Sequence, residues 1–302
     1  MTVIVENLTK VYDGQKAIDH ISFEIHKGEI VGLLGPNGAG KSTTMKIISC
    51  FTLPTSGNVA VFGYDIYDHS QKVREKIGYL PEQNPLYNDM YVKEYLVFIA
   101  HLHKIKGSIS KRAEEMIDIT GLNPERHKLI GALSKGFRQR VGLAATLIHD
   151  PEVLILDEPT SGLDPNQIID IRKLIIELGK EKSIILSSHI MQEVQAICNR
   201  VIIMNNGILI ADDTTSSLME SSSIKSYFIV EFKKEVTLSE LEKISSIIQI
   251  KMDGGKYLIE TAGSDIREEI FNFAVKTGNV ILEMKKEGEN LEKVFQKLTI
   301  PN

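Results

Sequence analysis

Only two cysteines, Cys50 and Cys198, occur in the 302 residues, far apart and each in an apolar or helical stretch. No zinc-ligand spacing exists and no disulfide framework is indicated, so both read as buried free thiols in a reducing cytosol. No apolar run approaches the roughly 18 residues that a membrane-spanning helix needs. The opening Met1-Thr2-Val3-Ile4-Val5-Glu6 lacks the basic segment and long apolar core of a secretory signal. If the protein works at a membrane, another chain must supply the crossing. Positive charge is not in excess either. Lys and Arg number 35 against 40 Asp and Glu, a formal net charge of −5, which argues against a general nucleic-acid binder. With 42% hydrophobic residues, the chain has the core of one large domain or two ordinary ones.

What is present is organised around Gly35-Pro36-Asn37-Gly38-Ala39-Gly40-Lys41-Ser42-Thr43. This is the pattern G-x-x-x-x-G-K-[ST], a phosphate-binding loop when a strand precedes it and a helix follows. Glu29 to Leu34 reads as a buried strand, and Thr43 to Ile48 opens a helix. The glycines let backbone N–H groups approach an anion closely, and the helix start adds positive partial charge behind it. Lys41 is placed to reach the β- and γ-phosphates, and the Ser42 hydroxyl to ligate Mg²⁺. Chance would produce the pattern in roughly 1 in 100 chains of this length.

Residues 2 to 30 read as antiparallel strands, with Asp13-Gly14 as a hairpin turn. Tyr12 ends the first strand, either as a half-buried strand aromatic or as a stacking platform for a purine. From about 86 the pattern turns helical, through Val92 to Ile99 and Ala113 to Ile119. His101 and His103, two apart, share no helix face and read as surface or packing residues. Val153 to Leu156 is a continuous apolar run, as a parallel strand buried on both faces should be. Helix and strand then alternate to Met204, which implies a parallel sheet covered by helices. The serine-rich stretch from Ser216 to Ser223 suggests a linker or helix end. Beyond it the expected order is strand 227–232, helix 238–247, strands 249–252 and 256–260, helix 266–276, strand 280–284 and a last helix at about 290–298. The core of that order, βαββαβ, is a split-βαβ unit. It gathers no catalytic residue types.

Asp157 and Glu158 close the buried strand. An acidic residue at that point of a phosphate-loop protein holds Mg²⁺ through its water shell, which assigns Asp157. Side-chain alternation points Glu158 elsewhere, placed to accept a proton from an attacking water. Ser187-Ser188-His189 ends the next strand, so His189 can contact a γ-phosphate from a neighbouring strand end. Ser134 reads as the N-cap of a helix through Lys135, Gly136, Phe137 and onward to Ile148, whose start would suit another phosphate.

Tyr12, the phosphate loop, Leu133 to Arg140, Leu154 to Pro165 and Ser187 to His189 resemble, in order and spacing, the ATP-binding subunit of ABC transporters over residues 1 to about 215. The resemblance implies an α/β P-loop NTPase of the ABC ATPase type, with an N-terminal antiparallel β subdomain and a helical insertion. It implies domains at 1–220 (helical subdomain about 86–140) and 221–302, the latter a small ferredoxin-like α+β accessory domain. It makes Tyr12 the adenine-stacking aromatic, Ser134 to Phe137 the signature segment, Ser161 to Asp164 the D-loop and His189 the switch histidine. Asp164 joins the nucleotide-binding set. The implied cofactors are ATP and Mg²⁺. The implied partners are a second copy, each ATP lying between one copy's phosphate loop and the other's signature, and an integral-membrane permease, with no nucleic acid. The implied location is the cytoplasmic face of the cell membrane.

The sequence departs from the commonest pattern in places. Lys135 and Phe137 stand at a glycine and a glutamine position of the usual signature. Glu82 stands where most members carry a lining glutamine, with Gln83 next to it, so either could line the site and sense Mg²⁺ or water. Leu291 to Thr299 resembles the C-terminal ends of ABC-2-type exporter ATPases. Tyr79 to Tyr87 and His189 to Val194 look especially like the gliding-motility-associated ATP-binding subunit of Bacteroidetes. The competing class is a soluble non-transport ABC ATPase, an assembly or regulatory factor. The long coiled coils of DNA-repair members and the fused ATPase pair of translation factors are missing here, and a purely binding regulator fits poorly with both Asp157 and Glu158 present.

Overall fold

The structure is a computed structural model describing residues 1–188, 190–222, 226–262, 264–287 and 295. His189 and nearly all of the expected last helix, 290–298, lie outside the described residues. The chain divides into two units, Met1–Asp213 and Thr214–Asn302.

The first unit begins with β1 (Val3–Tyr12) and β2 (Gln15–Ile25), then β3 (Ile30–Leu34), α1 (Lys41–Ile48), β4 (Ser56–Val61) and β5 (Tyr64–Asp65). It continues with α2 (Ser70–Lys76), β6 (Ile77–Leu80), α3 (Val92–Leu102), α4 (Ile109–Ile119) and α5 (Lys135–Leu147). It ends with β7 (Val153–Asp157), α6 (Pro165–Leu178), β8 (Ser183–Ser187), α7 (Met191–Ile197), β9 (Arg200–Asn205) and β10 (Ile208–Thr214). The hairpin at Asp13-Gly14 has positive φ at both residues (47° and 82°), the geometry that matches strand twist. An antiparallel sheet runs β2-β1-β4-β5, and a second sheet runs β10-β9-β3-β8-β7-β6. The β9/β3, β3/β8, β8/β7 and β7/β6 pairs are parallel.

All five residues of β3, of β7 and of β8 are buried, which is why their interior residues read as apolar runs rather than as an alternation. One core joins the two sheets: Val5, Ile21 and Val59 pack with Val31, Leu33, Ile155, Ile185 and Met45, Ile47 and Ile48 of α1. This packing sets the phosphate loop between β3 and α1, at the carboxyl edge of the sheet where the ends of β7 and β8 also lie. Crevices outside that edge are where open α/β sheets bind ligands. Between β6 and β7 the helical insertion holds α3, α4 and α5.

The second unit holds α8 (Thr215–Ser222), β11 (Ser226–Phe232), α9 (Leu238–Leu241), β12 (Ile247–Asp253), β13 (Lys256–Thr261), α10 (Arg267–Thr277) and β14 (Ile281–Glu287). Its antiparallel sheet has the order β12-β13-β11-β14, the split-βαβ arrangement. Buried Tyr257 bridges one backbone group pair, accepting from the Val236 N–H at 2.9 Å and donating to its carbonyl at 2.7 Å. Of the two alternatives for the serine-rich stretch, linker or helix end, the helix is the one observed, over Thr215–Ser222. One expectation needs correction. The helix expected over 238–247 is one turn: Thr237 and Glu240 cap its start, and tight turns at Ile244 and Ile247 (3.0 and 3.1 Å) end it. The β-branched Ile247 and Ile248 favour the strand that follows. Among the described residues no helix is long and apolar enough to cross a membrane.

Candidate nucleotide-binding and hydrolysis site

The loop from Gly35 to Gly40 turns sharply enough to require glycine at two points. Gly40 sits at φ 105° and caps α1; a Cβ there would lie 2.6 Å from the Ala17 carbonyl. At Gly35 an added Cβ would lie 2.8 Å from the Ala39 Cβ and collide with the Met204 carbonyl. The first N–H groups of α1 have no partner within the helix, so the loop and helix start together offer donors to an anion.

A cleft of about 540 Å³ opens over this loop, lined by Tyr12, Ala17, Asn37 to Thr43, Glu82, Asp157 and Glu158. That is a volume suited to a nucleotide-sized ligand. Lys41 is buried, and its Nζ donates to the carbonyls of Gly35 (2.7 Å) and Pro36 (3.1 Å). Burial pushes its ammonium below the usual lysine range, while the carboxylates of Glu158, Asp157 and Glu82 act in the opposite direction. An ammonium held by these two carbonyls, under a field of carboxylates, fits an incoming polyphosphate as its strongest partner. Tyr12 is 46% exposed at the end of β1, with the Lys10 ammonium 4.9 Å from its ring centroid.

At the end of β7, simple alternation would separate Asp157 from Glu158. Instead Glu158 has φ 50°, a left-handed backbone that ends the strand, and both carboxylates line the cleft. Such a conformation in a non-glycine residue is strained and is typical of functional sites. Ser187 of β8 holds the pair in place. Its hydroxyl donates to Asp157 Oδ1 at 2.6 Å and accepts from the Glu158 N–H at 3.0 Å. Ser187 carries no weight of its own in the sequence reading. Its signal is its position opposite Asp157 in the parallel register.

Glu82 lines the phosphate cleft. Gln83 lines, together with Glu82, Ser42 and Asp157, an adjoining cavity of about 770 Å³ that extends to Tyr79, Tyr95 and His149. Ser134, Lys135, Gly136 and Phe137 do not line the phosphate cleft. Ser134 caps α5 by accepting the Phe137 N–H at 3.4 Å, Gly136 lies under the Gln167 amide, and the Lys135 side chain lies over Gly162. Asp164 caps α6, accepting the Gln167 N–H at 2.9 Å while Gln167 accepts from its backbone at 3.3 Å. Among the described residues no three His, Cys, Asp or Glu side chains gather to hold a metal unaided. Mg²⁺ needs few protein ligands, because it keeps waters and takes substrate phosphate oxygens. The donor set of Ser42 and Asp157 beside the loop fits that requirement.

A buried parallel strand, a glycine-rich loop at a helix start and paired carboxylates at the end of β7, two strands along the same sheet, define a P-loop nucleotide-binding protein. The ABC transporter family model matches residues 18–161. The chain is 34% identical to the bacitracin transport ATP-binding protein of Bacillus licheniformis, covering 99% of this chain and 98% of that one. It is also 34% identical to the linearmycin resistance ATP-binding protein of Bacillus subtilis, over 97% of both. A dimeric ATP-binding cassette solved with ADP and phosphate superposes with a TM-score of 0.66 at 27% identity, over 70% of this chain and 98% of that one. The chain belongs to the ABC transporter ATP-binding protein family.

Proposed function

We propose that this protein is the ATP-binding and ATP-hydrolysing subunit of an ABC-2-type transporter, powering export through a separate membrane permease. The observation that supports it most is the convergence of the phosphate loop, Asp157 and Glu158 on one cleft. Full-length similarity to relatives named for bacitracin transport and linearmycin resistance supports the export branch.

In this reading residues 1–220 form the ATP-binding domain and 221–302 an accessory domain. Tyr12 stacks on adenine. The backbone of Gly35 to Thr43 and the Lys41 ammonium hold the phosphates. Ser42 and Asp157 hold Mg²⁺, which supplies charge neutralisation at the phosphate oxygens. Of the two residues open to the lining role, Glu82 takes it, since it faces the cleft. Glu158 accepts the proton of the attacking water. His189, outside the described residues, contacts the γ-phosphate. Ser134 to Phe137 and Asp164 serve the site of a second copy, and ATP closes the two copies on each other. The permease docks beside the helical subdomain, near Glu82 to Tyr95, on the cytoplasmic face of the membrane. The finer branch, gliding motility, rests on Tyr79 to Tyr87 and His189 to Val194; deletion of the gene with unchanged surface motility would reject it.

The test is Glu158→Gln in the full chain. It should bind ATP as the parent does, accumulate as a dimer on size exclusion with ATP, and lose about 10²- to 10⁴-fold in hydrolysis. Hydrolysis at the parent rate would sink the base assignment. Failure to co-purify with any membrane protein would favour a soluble assembly factor instead.

A further inference from the structure

We propose that Glu193 is a positioning residue for hydrolysis, tying the turn after Glu158 to the turn after β8. The inference rests on the role given to Glu158 above.

Glu193 lies in α7 and is 3% exposed. Its Oε2 accepts the hydroxyl of Thr160, itself buried, and lies 3.5 Å from the Ser188 Oγ. The Ser188 hydroxyl accepts the Ile190 N–H at 3.0 Å, which leaves its proton for the carboxylate. Thr160 is two residues beyond Glu158, and the intervening turn closes through the Ser161 N–H on the Glu158 carbonyl at 3.1 Å. Ser188 follows Ser187, which holds Asp157 and the Glu158 N–H. One carboxylate is thus bonded to both chain segments that leave the cleft.

A buried carboxylate is a poor packing element. It is desolvated, and among the described residues no basic side chain forms an ion pair with it. Methionine would fill similar space without that cost. What a carboxylate oxygen adds is the capacity to accept two hydroxyls at once, one from Thr160 just beyond Glu158 and one from Ser188 just beyond Ser187. A left-handed Glu158 persists only if its surroundings over-determine it. Ser187 fixes the N-terminal side of Glu158 through its N–H, and Glu193 fixes the C-terminal side through Thr160. Without that second anchor the turn relaxes, and the Glu158 carboxylate moves relative to the phosphate loop. The loop itself, which joins β3 to α1 and is set by Gly35 and Gly40, keeps its shape.

The experiment measures kcat and KM for ATP in the full-length chain for Glu193→Ala, Glu193→Gln, Thr160→Val and the Glu193→Ala/Thr160→Val pair. Glu193→Ala should lose about 10- to 100-fold in kcat, the scale of a small misplacement, with KM close to that of the parent. Glu193→Gln keeps an oxygen that accepts the Thr160 hydroxyl and should retain most of the activity. Thr160→Val should match Glu193→Ala, and the pair should be no worse than either alone, the non-additivity expected of two groups in one contact. Should Glu193→Ala fold poorly, Thr160→Val carries the test. A parent-like kcat in both Glu193→Ala and Thr160→Val, or a loss in Glu193→Gln as deep as in Glu193→Ala, would overturn the proposal. Parent-like hydrolysis by Glu158→Gln would overturn the reading beneath it, so the two failures are distinguishable.

Discussion

Lowering the pH from 7 to 5 asks the chain to protonate His149, and the fold resists. The ring lies just after α5, where its Nε2 hydrogen-bonds the Ile77 carbonyl at 3.0 Å and it stacks on His103 with centroids 4.0 Å apart. Its Nδ1 is buried with no hydrogen-bond partner among the described residues. Burial first, then the neighbouring His103, Lys182 and Arg112, push its pKa from the ordinary 6.5 down to about 4, with the bond to Ile77 acting the other way. Asp150 also faces this cluster, but its carboxylate is taken up by Lys182 at 2.7 Å. Burial likewise holds the stacked His103 below its ordinary value. Between pH 6.5 and 4 the unfolded chain therefore binds a proton at residue 149 that the folded chain does not, so stability falls as the pH drops through that window. With those two values, His149 alone costs about 2 kcal/mol between pH 7 and pH 5. The chain lacks tryptophan, so urea denaturation is followed by circular dichroism, in the parent and in His149→Gln. The parent should lose about 2 kcal/mol more than the variant over that pH step. Equal losses would refute the assignment of a neutral, proton-refusing His149.

Ser187→Ala removes the hydroxyl shared by Asp157 and the Glu158 N–H and leaves a backbone donor without its acceptor. It should cost about 1–3 kcal/mol in urea denaturation and lower kcat for ATP. Lys41→Ala takes away the charged donor of the phosphate loop, and ATP binding measured by calorimetry should weaken about 10- to 100-fold, matching the worth of a charge-assisted hydrogen bond. The Cys198 thiol is buried and pushed far above the usual range by desolvation. Iodoacetamide at pH 8 should therefore leave it unmodified in the folded protein and label it in urea, as read by mass spectrometry.

The phosphate loop and the strands around it were legible because each depends on a local pattern. Glycine spacing marks the loop, an apolar run marks β7, and the turn dipeptide Asp13-Gly14 marks a hairpin. Less legible were features that depend on what lies opposite. Ser187 reads as one small residue of a triplet until the parallel register sets it beside Asp157. Alternation put Asp157 and Glu158 on different faces, and the left-handed turn at Glu158 brings both to the cleft. The short α9 misled for a related reason. Leu238 to Ile247 carries helical apolar spacing, but Ile247 is taken by the ladder to Thr261, and tertiary pairing outweighs local periodicity there. Glu82 against Gln83 could not be settled by sequence at all, because neighbouring loop residues differ in direction and not in pattern.

Ser134 is exposed at the start of α5, and its hydroxyl serves the helix as an N-cap, yet none of Ser134 to Phe137 reaches the cleft that holds Lys41, Asp157 and Glu158. A helix start is a good anion site only where an anion can approach it. Within one chain this start is separated from the phosphate loop, while Gly136 and Lys135 are packed against Gln167 and Gly162 of the segment that follows Glu158. That contact makes the signature and the turn after Glu158 one surface. A nucleotide held by a second copy and pressing on Ser134 would push on Lys135, Gly162 and, through the turn anchored on Glu193 by Thr160, on Glu158 of the first copy's own site. Hydrolysis in one cleft would in this way depend on occupancy of the other, and a lone chain would lack that push on its base. The rate per chain should accordingly rise with protein concentration, and a rate independent of dilution through the dimer's dissociation range would reject this coupling.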